Sequence, residues 1–282
     1  MSALRRPLPV SNEFGDQSGD LQSMTYCVGI LLDTGMVFLS DSRTSAGVDQ
    51  ISTFRKTVVF QKPGERVLVL QSAGNLAITQ AVTSVLRENL EAAETAAGVT
   101  LFGCRNMFEA AQCVGEALRE AYRRDAPALK QFAVEFNASF ILGGQIRGEE
   151  PRLFSIYSPG NFIEATAETS YFQIGESKYG KPIIDRVIRR SSSLNEAAKA
   201  ALISMDSTIR SNLSVGLPLD LVMVKRDRFA IARHVSIDDD NAYFASIRKR
   251  WSEALREVFA QLPEPDWLRN PRGWAPEQRA AD

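Results

Sequence analysis

Apolar positions along the chain follow two rules. Short, nearly continuous apolar runs bounded by Gly, Asn, Asp and Pro read as strands. Stretches in which apolar residues return every three or four positions read as helices. The first run, 24–32, stops at Asp33-Thr34-Gly35, a turn signal, and 36–40 returns at once to end on Asp41. A strand over 52–60 follows, with Lys56 at its entrance. Lys62-Pro63-Gly64-Glu65 is a turn, 66–71 is an apolar strand, and Ser72-Ala73-Gly74-Asn75 is a strand-to-helix corner.

Helical spacing then takes over. Leu76, Ile78, Val82, Val85, Leu86 and Leu90 mark a helix over 76–96. Met107, Ala110, Val114, Leu118 and Tyr122 mark a second over 106–123, with Pro127 beyond its end. Strands return at 134–145, 152–157 and 163–166, with Gly143-Gly144 and 158–161 as the turns between them. The segment 171–174 leads to Gly175-Glu176-Ser177 and a short helix over 178–189. Ser193 with Glu196 three positions later is a capping-box pattern opening a helix to 209. Strands 219–224 and 229–235 form a hairpin over 225–228. Asp238-Asp239-Asp240 then opens a long helix to 262, acids suiting its positive end. Its stripe is Phe244, Ile247, Trp251, Leu255, Val258 and Leu262, serving its own domain or a subunit contact.

Helices thus arrive in pairs between blocks of antiparallel strands. That order predicts an α+β, four-layer αββα sandwich of antiparallel sheets with an added C-terminal helix, not βαβ alternation. No internal repeat is visible. The expected division is an extension or propeptide over 1–24, a catalytic domain over 25–236, the helix over 237–262 and an irregular, proline-bearing tail over 263–282.

Composition narrows the class. The 282 residues carry 44% hydrophobic and 24% charged residues, as in soluble globular proteins. A net charge of −1 gives no bulk electrostatic case for nucleic acid or an anionic membrane surface. No apolar run reaches the ~18 residues of a membrane helix. Cys27, Cys104 and Cys113 have no metal-ligand spacing, and three buried thiols in a reducing, cytoplasmic interior are expected. Residues 1–23 are polar, carry Pro7 and Pro9, and are expected to be disordered. They are either a propeptide or an over-long start, with Met24 a possible initiator; both routes leave Thr25 as the free N-terminus.

That terminus carries candidate chemistry. A threonine hydroxyl is a weak nucleophile until a base takes its proton, and one solution is the residue's own freed amine. An α-amine titrates at about 8, so it accepts the proton without a histidine. The single histidine, His234, lies near the other end, where it reads as a strand residue without catalytic duty. Taken alone, Thr25 is equally an ordinary strand threonine, Asp41 a turn cap, Lys56 a solvated strand end and Gly74 a corner glycine.

Together these residues resemble the proteasome β-subunit family of N-terminal nucleophile hydrolases. The matching run is Asp41-Ser42-Arg43-Thr44-Ser45-Ala46-Gly47, then Lys56, then Ser72-Ala73-Gly74. Met-Thr-Tyr-Cys at 24–27, and Gly175-Glu176-Ser177-Lys178-Tyr179-Gly180-Lys181-Pro182, resemble the Anbu branch, the so-called ancestral β-subunit. The likeness spans about 25–262 and implies the N-terminal nucleophile fold. It implies Thr25 as nucleophile and, through its amine, base. Asp41 would be the acid that holds the lysine, and Lys56 the charge beside the hydroxyl. Gly74 would be the oxyanion N–H, with Ser177 and Ser214 organising the amine. Arg43 would pair with an acid near the site or with a neighbouring subunit. The pattern departs at one point: the family usually has an aspartate three positions before Ser214, where this chain has Ser211. Asp206 compensates only if the helix end brings it close.

The implied activity is a threonine peptidase acting on peptides or unfolded chains, self-associated into a ring or lock-washer, without cofactor or metal. An unfoldase partner is left open. The alternatives are a narrow amidohydrolase of the same chemistry, or an assembly or binding protein that keeps the fold without turnover.

Overall fold

The computed structural model describes residues 25–45, 51–91, 100–265 and 267. The expectations for the N-terminal segment, for Gly47 and for the end of the proline-bearing tail lie outside the described residues.

The chain opens with β1 (Tyr26–Leu32) and β2 (Gly35–Asp41), joined across Asp33-Thr34 with Leu32 opposite Gly35. A small ribbon follows, β3 (Arg43–Ser45) with β4 (Ile51–Thr53). Next come β5 (Thr57–Lys62), β6 (Arg66–Gly74), α1 (Leu76–Glu91) and α2 (Met107–Gln131). The second strand block is β7 (Ala138–Ile146), β8 (Arg152–Ile156), β9 (Phe162–Glu164) and β10 (Tyr171–Gly175). Then follow α3 (Ser177–Val187), α4 (Leu194–Ser211), β11 (Leu219–Lys225), β12 (Ile231–Ile237) and α5 (Ala242–Gln261).

Two antiparallel five-stranded sheets result, β10-β1-β2-β11-β12 and β5-β6-β7-β8-β9. Three apolar clusters show how they stack. Cys27, Leu31, Met36 and Phe38 of the first sheet meet Val67, Val69, Ile141 and Leu153 of the second. The other face of the first sheet, with Val28, Ile30 and Leu39, packs on Ala197, Ala201 and Met205 of α4. The other face of the second, with Leu68, Leu70 and Phe140, packs on Val82 of α1 and Val114 of α2. This is the four-layer αββα sandwich. It also explains why β1 and β2 read as unbroken apolar runs: both faces of each are buried.

Several local expectations need correction. Gly143 and Gly144 are not a turn; they lie inside β7. A Cβ on Gly143 would stand 2.5 Å from the Phe38 ring, and one on Gly144 2.3 Å from the Val67 carbonyl. The pair leaves room where the sheets approach closely, a second use of strand glycine. Pro127 lies within α2, which runs on to Gln131 because Leu129 packs on the core beyond it. The run over 52–60 is broken at 54–56, and 134–137 is not strand. Asn241, not the acid triplet, caps α5, its side chain accepting from the Phe244 N–H. The Ser193–Glu196 capping box forms as expected.

Candidate active site

Antiparallel pairing brings the starts of β1, β5 and β11 and the ends of β2, β6 and β10 to one end of the sandwich. The two sheets are stitched there by Ser40 Oγ and Thr57 Oγ1, 2.8 Å apart. Every residue placed in the candidate site belongs to these ends or to the segments beside them, Ser177 being the first residue of α3.

Asp41 is the centre. It is fully buried at the end of β2. Lys56, just before β5, donates from Nζ to Asp41 Oδ2 at 2.8 Å and to the Arg43 carbonyl at 2.7 Å. The other oxygen, Oδ1, accepts from the Tyr26 N–H at 3.0 Å. Burial pushes the Asp41 carboxyl up from its ordinary value; the Lys56 ammonium, then the Tyr26 and Gly216 N–H groups, pull it back. All of these donors favour the ionised form. The pair is buried on both sides, so neither charge is screened by bulk water.

Thr25 lies beside this pair and is 3% exposed. Its carbonyl accepts from the Glu176 N–H at 2.7 Å. The Thr25–Tyr26 peptide is therefore gripped at both edges, its oxygen by Glu176 and its N–H by Asp41. Gly175 makes this approach possible: its φ is +78°, and a Cβ there would fall 1.8 Å from the Thr25 oxygen. Only glycine combines that conformation with that clearance. Ser177 follows as the first residue of α3, so a helix N-terminus, with its partial positive charge, faces the Thr25 carbonyl region.

Gly74 closes β6 at φ +119°, where a Cβ would meet Asn137 O at 2.4 Å. Two residues earlier, the Ser72 N–H donates to the Lys56 carbonyl at 3.0 Å, and the Ser72 carbonyl faces Cys27 Sγ at 3.5 Å. Gly74 is thus carried by the same strand end that abuts Lys56 and β1.

Ser214 lies in the loop between α4 and β11. Its N–H donates to Asn212 Oδ1 at 3.0 Å, and its hydroxyl donates to the same oxygen. Ser211 is exposed at the end of α4. Asp206 does not stand in for the missing acid. It is buried and bound by Arg210 and Arg248, through Oδ2 at 3.1 Å and Oδ1 at 2.7 Å. Asn212 is the polar group that meets Ser214, and reading the sequence missed it; an Asn two positions before a Ser just past a helix end is the local pattern that signals it. Among the described residues Arg43 pairs with no acid and no other charged group. Its Nη1 donates to the Leu213 carbonyl at 3.1 Å, and its guanidinium packs where a Gly216 side chain would stand. Arg43 thereby joins the Lys56 side of the site to the loop that carries Ser214.

His234 sits on β12, its Nε2 2.6 Å from Asp220 Oδ1 and apart from Thr25 in the hydrogen-bond network. Cys27 and Cys104 are buried thiols and Cys113 is half-buried. Among the described residues no cluster of His, Cys, Asp and Glu has the makings of a metal site, and no helix is long and apolar enough to cross a membrane.

Solved structures carry the same arrangement of elements. Anbu, the ancestral β-subunit, from Yersinia bercovieri is 53% identical, with 85% of this chain and 98% of that chain covered and a TM-score of 0.79. The chain belongs to the Anbu family. An Anbu (Gly-1) mutant from Hyphomicrobium sp. strain MC1 is 52% identical over 86% of this chain and 99% of the other, with a TM-score of 0.79. Anbu from Pseudomonas aeruginosa, solved as a helical assembly of the Anbu complex, is 46% identical over 85% and 98%, with a TM-score of 0.80. No family model and no curated protein matches the chain. The Anbu relationship assigns the four-layer sandwich to the N-terminal nucleophile type.

Proposed function

We propose that this Anbu chain, once it begins at Thr25, is a threonine peptidase that cleaves peptides or unfolded polypeptides by acyl transfer. The observation that carries the reading is the buried Asp41–Lys56 ion pair, with Asp41 also holding the amide next to Thr25. A positive charge at that position favours the ionised hydroxyl and the neutral amine, the pair of states a self-activating nucleophile needs. The Thr25 hydroxyl attacks the scissile carbonyl, its proton passing to the α-amine. The Gly74 N–H stabilises the oxyanion. The amine proton goes to the leaving amine, and an ester remains on Thr25 Oγ. Water, deprotonated by the amine, releases the acid product. Ser177 and Ser214 orient the amine. In place of a carboxylate, the carboxamide of Asn212 takes the Ser214 hydroxyl, so the amine is held more weakly than a charged partner would hold it.

We take 25–236 as the catalytic domain and α5 as a contact between copies, in a self-associated assembly. The exposed end of α5, with Leu255, Val258 and Phe259 open to solvent, supports that division, as does the helical assembly of the Pseudomonas relative. The test is covalent labelling of protein whose N-terminus has been verified as Thr25, using a peptide epoxyketone. The parent should be labelled on Thr25 and Thr25→Ala should not. Equal labelling of both removes the assignment. A folded parent that takes no label favours the binding or assembly reading, for which Ser211 in place of the family aspartate is the supporting observation.

A further inference from the structure

Tyr26 follows Thr25 directly, and its side chain is wholly buried. A polar tip in an apolar layer is costly unless every hydrogen bond is made. Here each one is. Gln173 of β10 donates from Nε2 to the phenol oxygen. The phenol lies 2.9 Å from Ser204 Oγ of α4, and the Ser204 hydroxyl donates onward to the Ala201 carbonyl at 2.9 Å. With the serine proton so engaged, the phenol proton goes to Ser204. Burial raises the phenol well above its ordinary range, so that proton stays in place. The third wall is α3, where a Cβ on Gly180 would stand 2.5 Å from the phenol oxygen. One side chain thus ties β1 to β10, α3 and α4. Strand formation needs none of this, because a phenylalanine fills the same space.

Chain termini fray unless tied down, and the two backbone grips on the Thr25–Tyr26 peptide hold only while Tyr26 itself stays still. We propose that Tyr26 is a positioning residue whose phenol, clamped by Gln173 and Ser204, keeps Thr25 oriented toward the Asp41–Lys56 pair. The proposal rests on the reading of Thr25 as nucleophile. It also accounts for the placement of Gly180, which no part of the proposed reaction uses.

The experiment compares the assembled parent, beginning at Thr25, with Tyr26→Phe over a range of peptide epoxyketone concentrations. The limiting labelling rate and the half-saturating concentration are read separately. Tyr26→Phe should lower the limiting rate about tenfold, short of the ~100-fold that a 1 Å misplacement brings. The half-saturating concentration should not change, since the probe's binding contacts are untouched. Ser204→Ala should move the limiting rate the same way and serves alone if Tyr26→Phe fails to fold. Asp206→Asn, also on α4 but turned toward α5, controls for stability: it should lower Tm without slowing labelling. A parent that does not label defeats the nucleophile reading itself. A parent that labels, with folded Tyr26→Phe and Ser204→Ala labelling equally fast, overturns the positioning role. So does an Asp206→Asn that slows labelling as much as Tyr26→Phe does.

Discussion

Of the aspartates buried among the described residues, Asp41 faces a lysine and Asp206 faces arginines, and the two have opposite tasks. Asp41 faces one ammonium and two backbone N–H groups; Asp206 faces two arginines, with Arg210 half-exposed and Arg248 partly so. Backbone donors make Asp41 a fixture of the main chain, since moving the carboxylate moves the peptide after Thr25. Arginine donors make Asp206 a fastener between helices, since Arg210 belongs to α4 and Arg248 to α5. Similar burial of the same side chain therefore says little about function. The identity of the donors says more.

The largest consequence follows from removing the first carboxylate. Asp41→Asn leaves the Lys56 ammonium buried without a counter-charge and removes one of the two acceptor oxygens that Lys56 and the Tyr26 N–H use; breaking a buried pair costs roughly 3–5 kcal/mol. Urea denaturation should show that loss, and Thr25 labelling should fall with it. A fully stable variant would place the ion pair outside the energetics of the fold. Next comes Gly175→Ala, which strains a positive φ and drives a methyl into the Thr25 carbonyl. It should cost well over about 1 kcal/mol and slow labelling at least tenfold; an unaffected rate would mean that the Glu176 grip does not position Thr25. Asp206→Asn should cost about 1–3 kcal/mol, as a buried hydrogen-bonded charge does. Its signature should be faster hydrogen exchange in α5, and protection changes confined to β1 would invert the comparison. The smallest effect concerns Glu196. The Ser193 N–H, then its hydroxyl, hold that carboxyl below its ordinary value. A depressed folded value means its contribution is present above the unfolded value and fades as pH falls through the folded one. Glu196→Gln should therefore lower Tm slightly at pH 7 and leave it unchanged near pH 2; an equal shift at both pH values would show that no titration is involved.

Much of the fold was legible in the pattern of residues because it is set by neighbours a few positions apart. The Asp33-Thr34 hairpin, the Ser193 cap and the strand blocks all depend on local turn chemistry and on two-sided burial. The failures are also physical. Gly143-Gly144 carries the residues of a turn, and only the approach of Phe38 from the facing sheet reveals a strand interior. Pro127 is an unfavourable helix residue, and Leu129 outweighs it by packing on a core formed from distant strands.

The site divides in the same way. The order of Thr25, Asp41, Lys56 and Gly74 along the chain was enough to name the family and its candidate residues, because family motifs are spacings. The pairing of Asp41 with Lys56 came only with the family resemblance; the residues by themselves said nothing of which acid meets which base. Asp206 and Asp41 are equivalent letters until folding places one between two helices and the other against the start of β1. The same holds for Asn212 receiving the Ser214 hydroxyl and for Tyr26 reaching Ser204, partners that lie 178 positions apart. Local propensity decides what a segment becomes. Which polar groups escape water together is decided only when the layers close, since each buried donor then has to find its acceptor among whatever the fold has brought near.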